Sequence, residues 1–398
     1  MPRCPFFVAA SLFSLLAAWP ASARVMLTTL PVRERVEVQL DHDSATLVEE
    51  ERIVPLVQGV NQIDFSWANT QIDASTVVFR VVGGGDDAEP VAEVSVLSVT
   101  YPPGENALVW QVASDRSTSV VVRISYLLGG LSKSYHYRAV VSADESTMEL
   151  SRYIRVENFA GEGYEDTQIY AGLGGDFLRP LQANETKQML VKRTAGLPVV
   201  KTYTADLHRH GWLDEAQQKL RVPMHYRLEN TAESGLGETA LPAGKVRIFQ
   251  QTQRDEGAAF LGEDLADYTP VGRHADLFLG VAQDIVVRRT VEKIDQRPVA
   301  GNLVHWAVTV KYRIENFKDQ PVTLRLAEQI EPLRQELGFS SAQPPEWVLG
   351  EATTIPGPPL AEATDQSRVT FEVPLPARAG DEAEPVEVRL QIVYRNQW

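Results

Sequence analysis

The chain has 398 residues, 44% hydrophobic and 23% charged, which is globular composition with length for two or three domains. The net charge is -15, and the longest basic runs are the pairs Lys192-Arg193 and Arg288-Arg289, so no electrostatic footprint for nucleic acid exists. The single cysteine, Cys4, leaves nothing for disulfides, zinc–thiolate sites or cysteine catalysis in the rest of the chain.

Residues 1–23 have the pattern of a secretory signal peptide. Arg3 supplies a positive start, residues 6–19 are apolar but short for a bilayer span, and Ala21-Ser22-Ala23 is an A-x-A cleavage site. A non-cleaved N-terminal anchor is the alternative. Loss of Arg3 with the leader would take the charge from -15 to -16. Arg outnumbers Lys by 29 to 9, a bias associated with GC-rich bacterial genomes. The expectation is export to a bacterial periplasm or exterior, with stability drawn from the core rather than disulfides. No later run is apolar enough to predict an integral membrane helix.

Period-two alternation dominates the chain beyond the leader. Val36, Val38 and Leu40 alternate with Arg35, Glu37 and Gln39, and Val386, Val388, Leu390, Ile392 and Tyr394 alternate with polar residues. Half-buried strands require this pattern, because successive side chains leave opposite faces. Residues 77–82, 94–101, 120–127, 135–141 and 303–314 are further β-branched or aromatic runs. Turn signals such as Gly83-Gly84-Gly85, Pro102-Pro103-Gly104 and Gly129-Gly130 bound several of them. The expected fold class is all-β, as tandem antiparallel β-sandwich (Ig-like) domains with little helix. Residues 213–220 are the best helix candidate.

One short pattern recurs three times: Arg155-Val156-Glu157-Asn158, Arg227-Leu228-Glu229-Asn230 and Arg313-Ile314-Glu315-Asn316. On a strand, Arg and Glu two apart share a face. Three equivalent binding faces are one reading. The plainer one, favoured here, is a strand leaving into a turn, with Asn tolerating a left-handed backbone. The predicted parse is an N-terminal β domain at 24–112, a middle one at 113–197, a connector at 198–222 and a C-terminal β domain at 223–398 with a Pro-rich loop at 343–359.

The segments Leu241-Pro242-Ala243-Gly244-Lys245-Val246-Arg247, Phe260-Leu261-Gly262-Glu263, Leu277-Phe278-Leu279-Gly280 and Pro321-Val322-Thr323-Leu324 resemble, in order and spacing, the C-terminal domain of unknown function of exported bacterial proteins of the mucoidy-inhibitor-A-like family. The resemblance covers residues 223–335 best and is weaker over 30–195. It implies fold and compartment, and it transfers no catalytic residue. Longer members carry a coiled-coil-like insert, and no heptad run occurs here, so no partner-binding helix carries over.

Candidate chemistry is sparse. His208 and His210, with Asp206 at the same spacing, would share a face of a strand and could chelate a metal, although an exposed polar connector is the plainer reading. Trp212 and Trp347 are candidates for stacking on a glycan. Asp41-His42-Asp43-Ser44 lacks the full calcium-loop pattern and reads as a turn. No G-x-S-x-G elbow occurs. The C-terminal strand ending in Trp398 reads as a sandwich strand rather than part of a membrane barrel. The expectation is a non-catalytic scaffold or binding protein of the cell envelope, without a cofactor, whose partner is an envelope protein or a glycan. A secreted hydrolase or metal-dependent enzyme using His208 and His210, and a glycan-binding module, stay open as alternatives.

Overall fold

The computed structural model describes residues 26–40, 42, 45–84, 92–164, 167–171, 176–178, 180–252, 257–301, 303–338, 344–378 and 383–397. The leader with Cys4, and Asp41, Asp43 and Ser44 of the expected turn, lie outside these. The chain forms two compact units, each drawn from two stretches: Met1–Lys133 with Val156–Lys187, and Ser134–Arg155 with Gln188–Trp398. The fold is all-β. Among the described residues no helix is long and apolar enough to cross a membrane.

The first unit contains a four-stranded and a six-stranded sheet. Alternation builds them: Thr46–Leu56 buries Thr46, Val48, Glu50, Val54 and Leu56. Side chains of the two sheets interlock through aromatic rings. Phe65 and Trp110 of one sheet lie 5.9 Å from Tyr126 and 4.9 Å from Phe79 of the other, respectively. Such rings bury large area and prefer these offset or tilted arrangements.

The second unit contains two five-stranded sheets and one of six strands. The sheet that positions the candidate site runs, in spatial order, His274–Val281, Pro223–Glu229, Val200–Asp206, Val322–Gln329 and Arg368–Leu375. One face of it supplies Tyr203, Ala205, Leu324, Leu326, Val369 and Phe371 to an apolar core. The six-stranded sheet answers with Val308, Val310, Tyr312, Leu390 and Ile392. Each fully buried side chain of this size contributes about 1.5–3 kcal/mol, so this shared core fixes the sheet and leaves its other face free for other work.

Five features differ from the expected layout, and two of them have a local physical cause. Four of the five sheets include a parallel pair, for example Tyr203–Asp206 alongside Leu324–Ala327, so the sheets are not purely antiparallel. The expected boundary at 112 falls inside the Ala107–Ser114 strand. The expected connector at 198–222 contains Val200–Asp206, the middle strand of its sheet, and the helix expected at 213–220 is a hairpin of Trp212–Asp214 and Lys219–Leu220. Packing of Leu220 into the core overrides the weak helical preference of so short a segment. Within the Pro-rich stretch, Glu346–Leu349 pairs with the C-terminal strand at a sheet edge, where the preceding prolines remove no ladder bond.

The repeated Arg–aliphatic–Glu–Asn motif resolves into a clamp. Asn158, Asn230 and Asn316 are all buried, and none has positive φ, so the left-handed turn is not their role. Each donates its amide to two carbonyls and accepts one backbone N–H. Asn158 bonds the oxygens of Glu162 and Gln182 and accepts from Ala160; Asn230 bonds those of Thr239 and Thr269 and accepts from Gly237; Asn316 bonds those of Gln320 and Pro376 and accepts from Lys318. The arginines are not equivalent: Arg227 pairs with Asp276, whereas Arg313 pairs with Glu315.

Candidate functional site

A cleft of about 580 Å³ lies over the outward face of the five-stranded sheet. It exists because the outward positions of the five strands are mostly polar while the inward ones are apolar, so one sheet has a core face and a chemical face. Val200–Asp206 contributes Thr202, Thr204 and Asp206; Pro223–Glu229 contributes His225 and Arg227; His274–Val281 contributes His274, Asp276 and Phe278. Arg325 and Ala327 come from Val322–Gln329, and Arg368 and Thr370 from Arg368–Leu375. Strand register aligns them in rows. Phe278, His225 and Thr202 stand opposite one another across three strands, and Asp276 stands opposite Arg227. Residues 264–269 wall one side, with Leu265 and Tyr268 73% and 61% exposed, and Phe278 is 38% exposed on the floor. The cleft thus offers apolar and aromatic surface beside its charges.

Arg227 grips Asp276 with two bonds, Nε to Oδ1 at 2.7 Å and Nη2 to Oδ2 at 2.8 Å. Burial would raise the Asp276 carboxyl, but the Arg227 bond and charge, with His274 and His225 nearby, hold it below the usual range. His274 Nε2 lies 3.7 Å from Asp276 Oδ2. His225 packs its ring 5.6 Å from that of Phe278. Burial lowers the His225 imidazole, and the charges of Arg209 and Arg227 add to this against Asp276 and Asp264. Burial also lowers His210, with Arg209, His225 and Arg221 in the same sense and Asp206 opposed. Two of the three histidines therefore favour the neutral form, in which a ring nitrogen can accept as well as donate.

The expected His208–His210 chelate does not form, because Leu207–His210 is a helical turn and not a strand. Residues two apart on a helix do not share a face. Asp206 caps this turn, accepting the Arg209 N–H at 3.0 Å, and also accepts from Gln329. His210 reaches the cleft. His208 turns to the opposite side, where its Nε2 lies 3.4 Å from Glu328 and 3.8 Å from Glu336. There Arg289 bridges the two carboxylates, and Tyr312 donates its hydroxyl to Glu328. This is a buried ion network that ties the helix Ile330–Glu336 to the strands beneath. Among the described residues no group of three or more His, Asp or Glu is arranged to hold a metal ion.

Trp212 and Trp347 are both part-buried and pack on the core of the second unit, and Trp347 Nε1 donates to the Gln366 carbonyl at 2.9 Å. Neither lines the cleft. The aromatics that do line it are Tyr268 and Phe278. Sequence reasoning passed over His274, Asp276, Arg325 and Arg368, and reached His225 only as a residue not far along the chain from His208 and His210, because these residues lie on four strands up to 143 positions apart (225 to 368). The available signal was polar residues at every second position of 202–206, opposite Tyr203 and Ala205. No protein-family model matches this chain, and none of the curated proteins does either.

Proposed function

We propose that this chain is an exported, non-catalytic binding protein of the bacterial cell envelope, related to the mucoidy-inhibitor-A-like proteins, and that the polar cleft of the second unit takes its ligand. The observation that carries the reading is the two-faced sheet. Five strands turn Thr, His, Arg and Asp side chains outward into one concavity, while the opposite face is fixed in the core. A binding site needs polar groups held on rigid elements beside apolar surface, and the cleft offers both. The leader pattern supports export, and the segments over 223–335 support the family. The Arg227–Asp276 pair within the cleft supports recognition more than turnover.

Purified leader-free protein is the material for the test. An oligosaccharide array and a thermal-shift panel of small envelope metabolites should give at least one ligand. Thr204→Trp, which fills the cleft floor, should abolish that binding without lowering Tm by more than a few degrees. Binding untouched by Thr204→Trp would remove the cleft from the proposal. Turnover of an envelope polymer, lost on one cleft substitution, would overturn its non-catalytic half.

A further inference from the structure

The cleft's charges do not balance in a uniform way. Four arginines and five carboxylates line it, together with three histidines. Three of the carboxylates have partners within the protein. Asp206 accepts from Arg209 N–H and Gln329, Asp264 accepts the N–H groups of Leu265 and Phe278, and Asp276 holds Arg227. Arg325 has a carboxylate partner in Glu372, at 3.5 Å. Arg209 and Arg368 differ. Among the described residues neither guanidinium has an ion pair; Arg209 is exposed, the Arg368 charge acts on the Asp365 carboxyl, and the Nε of Arg368 is buried without a hydrogen-bond partner. An unpartnered buried donor is a cost that a ligand acceptor would remove.

We infer that the cleft is a proton-coupled anion site, which takes a ligand bearing a carboxylate or phosphate group on Arg209 and Arg368 and binds it more tightly as His210 and His225 gain protons. The inference rests on the reading of the cleft as the binding surface. With the histidines neutral, the lining groups carry one more negative than positive charge; with His210 and His225 protonated, they carry one more positive. Each ring has identified neighbours. His225 meets Asp276, Asp264, Arg209 and Arg227; His210 meets Arg209, Asp206, Arg221 and His225; His274 meets Asp276. Burial first, and then the nearby arginine charges, make protonation of His210 and His225 unfavourable in the empty cleft, and a bound anion opposes the arginine contribution. By linkage, an anion that raises a histidine's proton affinity must itself bind better at lower pH. The apolar surface of Leu265, Tyr268 and Phe278 suits the non-ionic part of the same ligand.

The test is calorimetric titration of the full leader-free chain with two probes, pyrophosphate and citrate, at pH 7.5 and 5.5 and constant ionic strength, with each affinity expressed per fully ionised probe because both anions take up a proton of their own in that interval. The stronger of the two identifies whether phosphate or carboxylate is preferred. Affinity should rise about tenfold or more across that interval, as expected for charge gained in a partly desolvated cleft. Arg209→Gln combined with Arg368→Gln should lose binding at both pH values. His210→Gln and His225→Gln together should retain the weaker binding and lose its pH dependence, with circular dichroism confirming that each variant folds. Binding that is indifferent to pH in the unaltered chain, or that survives loss of both arginines, overturns the inference. If a neutral ligand binds and is displaced by Thr204→Trp while both anions fail, the cleft reading stands and this inference falls. If Thr204→Trp displaces nothing, the cleft reading itself fails.

Discussion

Arg289 and Glu328 face each other as a fork, Nε 2.9 Å from Oε2 and Nη2 3.3 Å from Oε1, with both side chains only 1% exposed. Desolvating two charges is costly, and their attraction offsets this only while both are present. Glu328→Ala should therefore destabilise the second unit by about 3–5 kcal/mol, because it removes the buried partner of Arg289 and leaves that charge only the part-exposed Glu336. The double variant Arg289→Met with Glu328→Leu should cost clearly less than either single change. Denaturant midpoints of the three variants check this, and a double variant at least as damaged as the singles would refute it.

The same pair sets an acid limit. Burial alone would raise the Glu328 carboxyl, but the Arg289 charge, His208, and the bonds from Arg289 and Tyr312 outweigh it, so the net direction is down from the ordinary 4.5. A carboxyl lowered in the folded state contributes stability that is full above its unfolded value and is lost as pH falls through its folded value. Acid unfolding should steepen below about pH 4.5, and Glu328→Gln should flatten that slope while lowering stability at pH 7. Urea midpoints between pH 7 and 3 give the comparison.

The clamp asparagines make a sharper case, since their amide and carbonyl both have assigned work. Asn→Asp keeps the shape but removes both donors. In each clamp two carbonyls would then face a carboxylate. The expected loss is about 2–4 kcal/mol at Asn158, Asn230 or Asn316, from buried polar groups left unsatisfied. Thermal melts of the three Asn→Asp variants test this, and a fully native Tm at all three would sink the clamp.

Strand alternation made much of the fold legible. Residues 386–394 read as a strand because one side packs in the core and the other meets solvent. Val200–Asp206 escaped for the converse reason. Its inward residues, Tyr203 and Ala205, form no aliphatic row, and its outward residues are the cleft floor. The repeated asparagine was visible as a motif, but its bonding partners, such as Pro376 for Asn316, lie too far along the chain to be read locally. His208 and His210 were visible as a pair, but Asp206 caps a helical turn beneath them and sends the two rings to different places.

Trp347 illustrates a residue type that suggests ligand stacking while its surroundings specify packing. Its ring lies on the core and its indole N–H is satisfied by Gln366. Trp347→Phe should keep the packing and lose about 1 kcal/mol from the one hydrogen bond. Ligand affinity in the cleft should be unchanged within a factor of two, roughly the error of the titration. A large affinity loss with little change in stability would make Trp347 a ligand contact after all.

His225 connects stability to the cleft. Its folded value is lowered, first by burial and then by Arg209 and Arg227 against the opposing Asp264 and Asp276. A histidine that resists protonation in the folded state costs nothing above its unfolded value of 6.5. As pH falls below that value the unfolded chain takes up the proton more readily, and folding stability drops. His225→Gln should therefore make the melting temperature less dependent on pH between 7 and 5, with the larger gain at the acid end. Saturating anion should have a similar effect in the unaltered chain, because it compensates the proton's charge in the folded cleft. Melts at pH 7.0, 6.0 and 5.0, with and without pyrophosphate, separate these effects. A pH slope that His225→Gln leaves unchanged would show that the buried imidazole does not govern the acid response, and would shift attention to His210 beside Arg209.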